Sequence, residues 1–217
     1  MRRACARPDA GAGPLASALL ACAMLALGGC GSSSAPKDTM APLADGAYQV
    51  SIEGDAPVTG AAFFTGGKGY VVLSDDGDAA ASVLYSVGEF GIVRRVPPSA
   101  DHHRVEFALQ RPLALDAASL AGLAASYQTW LADQKVEFSV SANGTISAGS
   151  TPCKLSGNLA AVPGSASLSV TLVTADCGSV GAGRYTGLLY ASDALKPAAF
   201  RIVAENGSTL VDVLAYR

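Results

Sequence analysis

The stretch "KVEFSVSANGTISAG", residues 135–149, decides the fold class. Val136, Phe138 and Val140 alternate with Glu137 and Ser139, the period of two that lines one face of a strand. The run stops at Asn143-Gly144 and a second run begins. Asn-Gly between two such runs is the strongest short hairpin signal, because an I′ turn asks both central residues for positive φ. A second pair, Asn206-Gly207, joins "AFRIVAE" to "STLVDVLAYR".

Working outward, the same period recurs. "GAYQVSIEG" (46–54) alternates, "GYVVLS" (69–74) is a short apolar run, and "HRVEFALQ" (103–110) sets Val105, Phe107 and Leu109 on one face. "SASLSVTLV" (165–173) and "GRYTGLLYA" (183–191) continue the series. Short strands punctuated by turns predict an all-β, antiparallel meander that forms a small barrel or sandwich. One segment departs from the period. In "DAASLAGLAASY" (116–127), Leu120, Leu123 and Tyr127 have helical spacing and Asp116 suits an N-cap. One short helix near 116–124 is therefore expected, leading into a strand near Tyr127 to Leu131. It divides the body into an N-terminal β half, 43–115, and a C-terminal β half, 116–217. Gly46-x-Tyr48 with Ala61-Ala62-Phe63 is echoed by Gly183-x-Tyr185 with Ala198-Ala199-Phe200. Duplication and shared sheet chemistry explain that echo equally well.

The first residues read as targeting rather than fold. Arg2, Arg3 and Arg7 precede an apolar run from Leu15 to Leu27, a charged n-region and h-region of signal-peptide length. The run falls short of the about 20 residues of a membrane-spanning helix. Leu27-Gly28-Gly29-Cys30 resembles the lipobox of bacterial lipoproteins. The resemblance implies a signal peptide over 1–29, diacylglycerol on the Cys30 thiol and acylation of the new amino group by a chain such as palmitate. Gly31, rather than aspartate, after the cysteine implies delivery to the outer membrane. Residues 30–42, rich in Ser, Ala and Pro, read as a flexible tether with a reach of about 20 Å.

Of the five cysteines, Cys5 and Cys22 lie in the signal and Cys30 is assigned to lipid. Cys153 and Cys177 remain, an even pair in an oxidising compartment, which predicts one disulfide. The alternative is a metal site, but zinc takes four ligands and no histidine occurs in the C-terminal half. The turn signal Pro163-Gly164 between them would make them the open end of a hairpin. Without Arg2, Arg3, Arg7 and Asp9, the 15 Lys/Arg become 12 and the 18 Asp/Glu become 17. A net charge of about −5 argues against nucleic acid, whose phosphates ask for a basic face. It also leaves attachment to the membrane to the acyl chains.

"ASLAGLAASYQ" (118–128), "VSANGTISAG" (140–149), "PCKLSGNL" (152–159), a second cysteine and "GRYTGLLY" (183–190) together resemble a group of uncharacterised proteobacterial lipoproteins. The resemblance covers about 100 residues, from Ala117 to Arg217, with a degenerate pattern. It implies the disulfide and the all-β fold, and it carries no mechanism. Pro152 stands where a glycine usually precedes the first cysteine of that group.

Motifs with chemistry are sparse. "TGGKG" (65–69) lacks the leading glycine and the Ser or Thr of a phosphate loop, and reads as a hairpin turn. "DDGD" (75–78) lacks the later glutamate of a calcium loop and reads as a solvated turn. His102 and His103 are the only histidines, and adjacent strand residues face opposite ways, so they cannot share a metal. No Gly-x-Ser-x-Gly elbow occurs. Arg94, Arg95, His102, His103 and Arg104 form the one locally basic stretch, a candidate partner patch whose plainer reading is a solvated loop and edge strand. No catalytic residue, cofactor or metal ligand is assigned. The expectation is a non-enzymatic lipoprotein anchored in the cell envelope through Cys30, probing the periplasm or the cell surface. It would act as a display or binding module for an envelope protein, glycan or small ligand. The alternative is a lipocalin-like carrier of a small apolar ligand, and a hydrolase is a distant third.

Overall fold

The computed structural model describes residues 38–217, apart from 42, 53–57, 77–78, 89–90 and 102–103. The described residues form one compact unit. The expected signal peptide, Cys30 and most of the tether lie outside the described residues, as do His102 and His103.

The chain is all-β. The first part contributes β1 (Thr39–Met40), β2 (Gly46–Ile52), β3 (Val58–Thr65), β4 (Lys68–Ser74), β5 (Val83–Val87), β6 (Val93–Val96), β7 (Arg104–Val105) and β8 (Phe107–Pro112). The second contributes β9 (Ala125–Leu131), β10 (Gln134–Val140), β11 (Thr145–Ala148), β12 (Lys154–Ala161), β13 (Leu168–Ala175), β14 (Gly183–Tyr190), β15 (Phe200–Glu205) and β16 (Leu210–Ala215). Strands β9 to β16 are an eight-stranded antiparallel meander in strict chain order. Its ends meet, because Gln128 and Tyr216 exchange two backbone hydrogen bonds of 2.8 and 2.9 Å. The result is a nearly closed barrel whose seam is one residue pair. A six-stranded sheet, ordered β6-β5-β4-β3-β2-β8, stands beside it, and β1 pairs with β7 in parallel. "HRVEFALQ" is thus split between two sheets rather than forming one strand.

Alternation fills the barrel. Tyr127, Phe138 and Phe200 stack at its centre, with ring centroids 4.8 to 6.5 Å apart, among Leu155, Leu172 and Ile202. Elsewhere alternation fails for a physical reason. Strands β3, β4, β14 and β15 each carry four consecutive buried residues, because both of their faces are covered. Ala61, Phe63, Val72 and Leu84 of the six-stranded sheet pack against the outside of the barrel at Leu188, Tyr190 and Val203. The opposite face, with Val50, Phe64, Val71 and Tyr85, packs under Met40 and Val105 of the small ladder.

A buried ion pair of the barrel wall, between β15 and β16, lies at this interface. Arg201 donates to both carboxylate oxygens of Asp212, at 2.9 and 2.5 Å, and the side chains are only 11% and 9% exposed. Asp212 also accepts from the Ala81 backbone N–H at 2.6 Å, so the loop before β5 is tied to the barrel wall. Burial works against the Arg201 charge, but the hydrogen bonds and charge of Asp212 outweigh it and raise the pKa.

The helix expected near 116–124 does not form. Asp116 is held in a β-bridge to Ala191 instead of capping a helix, and the next residues make one turn. Leu123 N–H bonds Ser119 C=O, and the Ser119 hydroxyl accepts from Gly122 N–H. Leu120 and Leu123 use their spacing to sit on the barrel core from a turn. Packing at i and i+3 is available to a single turn as well as to a helix.

The turns also depart from expectation. Asn143 is not left-handed; only Gly144 is, at φ +86°, and Ser141 pairs with Thr145 across a three-residue bulged loop. Asn143 accepts from Thr145 N–H through its side chain. Two-residue loops with both residues left-handed occur at Gly66-Gly67, within "TGGKG", and at Ala132-Asp133, where no glycine signals it.

Candidate functional site

The outer face of the seam strands holds a candidate site. Ser126, Gln128 and Trp130 point outward from β9, and Tyr127, Thr129 and Leu131 point inward. In β10 the outward row is Lys135, Glu137 and Ser139. Antiparallel register sets Ser139 opposite Ser126, Glu137 opposite Gln128 and Lys135 opposite Trp130. Beyond Gln128 lies Tyr216, its partner across the seam. A depression of about 380 Å³ opens at this level, lined by Ser126, Gln128, Glu137, Ser139, Tyr216 and Arg217 among others. That volume lies near the lower end of the roughly 300–1,000 Å³ of small-molecule sites.

Two of the charged groups there are held in place. The Glu137 carboxylate accepts from Lys135 at 3.1 Å and from the Ser150 hydroxyl at 3.0 Å. The Lys135 hydrogen bond, with the Ser150 bond and the Lys135 charge, holds its pKa below the ordinary carboxylate value. Glu137 backbone N–H reaches the Thr151 hydroxyl at 3.0 Å, and its C=O accepts from Gly149 at 2.7 Å. Arg217 lies over the Tyr127 ring, 5.7 Å from the centroid, and donates to Gly122 C=O at 2.9 Å. Glu137 and Arg217 are therefore fixed on the barrel wall, one as an acceptor and the other as a cation.

Trp130 stands next along the same strands, about 7 Å beyond Gln128 at strand spacing. It is the only tryptophan in the sequence and is 67% exposed. The tight turn Ala132-Asp133 presents it, with φ of +48° and +61°. The loop after Cys177 supports that turn: a side chain added at Gly178 would meet Gln134 Nε2 at 3.2 Å and Ala132 Cβ at 3.7 Å. The Cys153–Cys177 disulfide is formed, with the Cα atoms 4.4 Å apart. It closes the open end of the β12–β13 hairpin, whose ladder runs from Lys154 opposite Ala175 to Ala161 opposite Leu168 and turns at Pro163-Gly164.

Within the basic stretch, the two adjacent arginines are not brought together. Arg94 pairs with Ser86 and Arg95 with Tyr85, so alternation sends the two guanidinium groups to opposite faces. Arg95 is half-buried and donates to Pro97 C=O, whereas Arg94 is exposed. Arg104 lies in β7 and is paired with Glu106 at 2.7 Å. Among the described residues, no group of three His, Cys, Asp or Glu is placed to hold a metal ion. Likewise, no described helix is long and apolar enough to cross a membrane. A second depression, of about 270 Å³, lies where Phe63, Phe64, Leu113 and Leu115 meet the Gly164-Ser165 turn.

Sequence reasoning assigned Tyr127 to Leu131 to a strand but drew no function from it. The available signal was a tryptophan at an outward position, Ser-x-Gln-x-Trp, in a strand whose alternate positions are apolar or buried. Comparison with family models, with curated proteins and with solved structures finds no match.

Proposed function

We propose that this protein is a lipoprotein of the cell envelope, held at the outer membrane through acyl chains on Cys30, that acts as a non-enzymatic binding module. One observation carries the binding reading: a single, highly exposed tryptophan lies in line with a depression in which Glu137 and Arg217 are held by hydrogen bonds. Such preorganisation lowers the ordering cost of binding. The lipobox-like Leu27-Gly28-Gly29-Cys30 and the tether after it support the anchoring. Two or three acyl chains suffice for stable attachment, where one binds only marginally. The alternative, a lipocalin-like carrier, requires room inside the barrel. Tyr127, Phe138 and Phe200 occupy that space here, which favours recognition on the outer wall.

A photoreactive residue in place of Ser126, in the lipidated protein in its own envelope, tests the binding site. It should give a discrete crosslinked adduct that the same residue at Ala160, exposed on β12, does not give. Identical adduct patterns from both positions would remove the assignment of this face. For the anchor, metabolic labelling with a fatty-acid analogue should mark the wild type and not Cys30→Ser. Equal labelling of both would end the lipoprotein reading.

A further inference from the structure

We propose that the ligand of the seam face is a neutral carbohydrate chain, with one pyranose ring stacked on Trp130 and its neighbour's hydroxyls bonded to Gln128 and Glu137. The inference rests on the binding reading above and specifies its ligand class. A pyranose has an apolar C–H face bordered by hydroxyl groups. The site has the matching halves in that order. Trp130 offers a broad flat surface with little side-chain entropy to lose, as aromatic anchors do. The Gln128 amide both donates and accepts, and the ionised Glu137 only accepts, so together they suit hydroxyls that do both. Two of the roughly four acceptor positions of Glu137 are used by Lys135 and Ser150, which leaves the others for the ligand.

The surroundings argue against the other ligand classes. A stable protein interface buries about 800 Å² per partner around an apolar core. Among the described residues, the exposed large hydrophobic side chains are Ile92, Trp130 and Val173. Ile92 precedes β6 in the other sheet, and Val173 lies on β13, four strands from β9 in the meander. Trp130 is thus alone among Gln128, Lys135 and Glu137, a contact the width of a sugar ring. A nucleic acid or a uronic-acid polymer would bring negative charge against Glu137; of the two cations beside it, Lys135 is paired with Glu137, and Arg217 is engaged by Gly122 C=O, the Tyr127 hydroxyl and the Tyr127 ring. With both cations so engaged, the exposed carboxylate favours a neutral glycan over an anionic one.

The single tryptophan makes the test specific to this site. The full lipidated protein in detergent is titrated with maltohexaose, cellohexaose, chitohexaose and oligogalacturonate while indole emission is followed. At least one neutral hexasaccharide should shift the emission to the blue, saturably, and the galacturonate should not. Calorimetry should show binding lost in Trp130→Ala and retained in Trp130→Phe. Gln128→Ala and Glu137→Gln should each weaken it about tenfold, the scale of one hydrogen bond to a charged or fixed group. No saturable shift with any neutral probe at about 10 mM, a millimolar limit being the weak end of recognition, overturns the proposal. So does a shift that the Gln128→Ala/Glu137→Gln double variant leaves unchanged. If the sugars are silent while Ser126 crosslinks to a protein, the carbohydrate assignment falls and the binding module stands. If Ser126 also gives no specific adduct, both fall.

Discussion

Ala132 and Asp133 turn the β9–β10 hairpin in a left-handed conformation that costs an L-residue about 1–2 kcal/mol. Gly66-Gly67 meets the same demand without that cost, since glycine has no Cβ to clash. The strained turn stands beside Trp130, and strain held in place by its surroundings is characteristic of functional loops. Replacing the pair by Asn-Gly should raise the stability by about 1 kcal/mol, seen as a higher urea midpoint with an unchanged slope. A lower midpoint would show that Ala132 makes packing contacts against Gly178 worth more than the relieved strain. The same scale explains the divided basic stretch. Two adjacent arginines look like a patch in the sequence, but residues i and i+1 of a strand never share a face.

The hairpin of β12 and β13 was legible in advance, because proline-glycine marks its turn and a cysteine stands near each end. Its disulfide lies outside the last ladder pair, Lys154 and Ala175, where fraying would start. Cys153→Ala and Cys177→Ala should each lower the stability by about 2–4 kcal/mol. Non-reducing peptide mapping should show the linked pair. Because the Gly178 loop passes close to Ala132 and Gln134, either variant should also alter Trp130 emission. Unchanged emission would mean that the hairpin end holds itself. The segment 116–124 departs from what its local spacing predicts. Leu120 and Leu123 are indeed placed to bury, but Asp116 is taken by the bridge to Ala191, a partner 75 positions away that no local pattern announces. The echo between Gly46–Phe63 and Gly183–Phe200 also dissolves at the level of register. Tyr48 pairs with Ala62, whereas Arg201, next to Phe200, pairs with Tyr190 and not with Tyr185.

Across the whole molecule, the six-stranded sheet and the barrel are joined by apolar packing and by the hydrogen bonds that Asp212 and Arg201 of the barrel make to Ala81 and Ala79. Asp212→Ala would leave Arg201 buried without its partner and should cost about 3–5 kcal/mol. Arg201→Met with Asp212→Leu should recover much of that loss, as measured by denaturant unfolding. Three tyrosines make the packed state sensitive to alkali. Burial pushes Tyr70, Tyr85 and Tyr190 above the ordinary 10.0, with Glu205 adding to the effect at Tyr70, and with Arg95 and Arg201 opposing it at Tyr85 and Tyr190. The folded chain therefore holds protons that the unfolded chain releases first. Their contribution is complete below about pH 10 and is lost as pH rises through the folded values. Urea midpoints should be level up to about pH 9 and fall by about pH 11, with phenolate absorbance appearing together with unfolding. Phenolate signals from all seven tyrosines at the ordinary value, with the fold intact, would contradict the burial of these three.

Local chemistry determined the strands, most of the turns and the disulfide. Alternation, glycine placement and cysteine parity act over a few residues, and tertiary context had little power to override them. The runs "AAFF", "YVVLS" and "LLYA" already departed from alternation, but which surface would cover their second face could not be read from them. Tertiary structure alone decided that the second half closes on itself, because closure depends on Gln128 meeting Tyr216 after seven turns of accumulated twist. It alone decided which outward residues remain exposed. Leu188 and Trp130 are both apolar residues facing away from the barrel interior. The six-stranded sheet covers Leu188 and leaves Trp130 to solvent, so burial by a distant segment, not the identity of the residue, distinguishes core from candidate site.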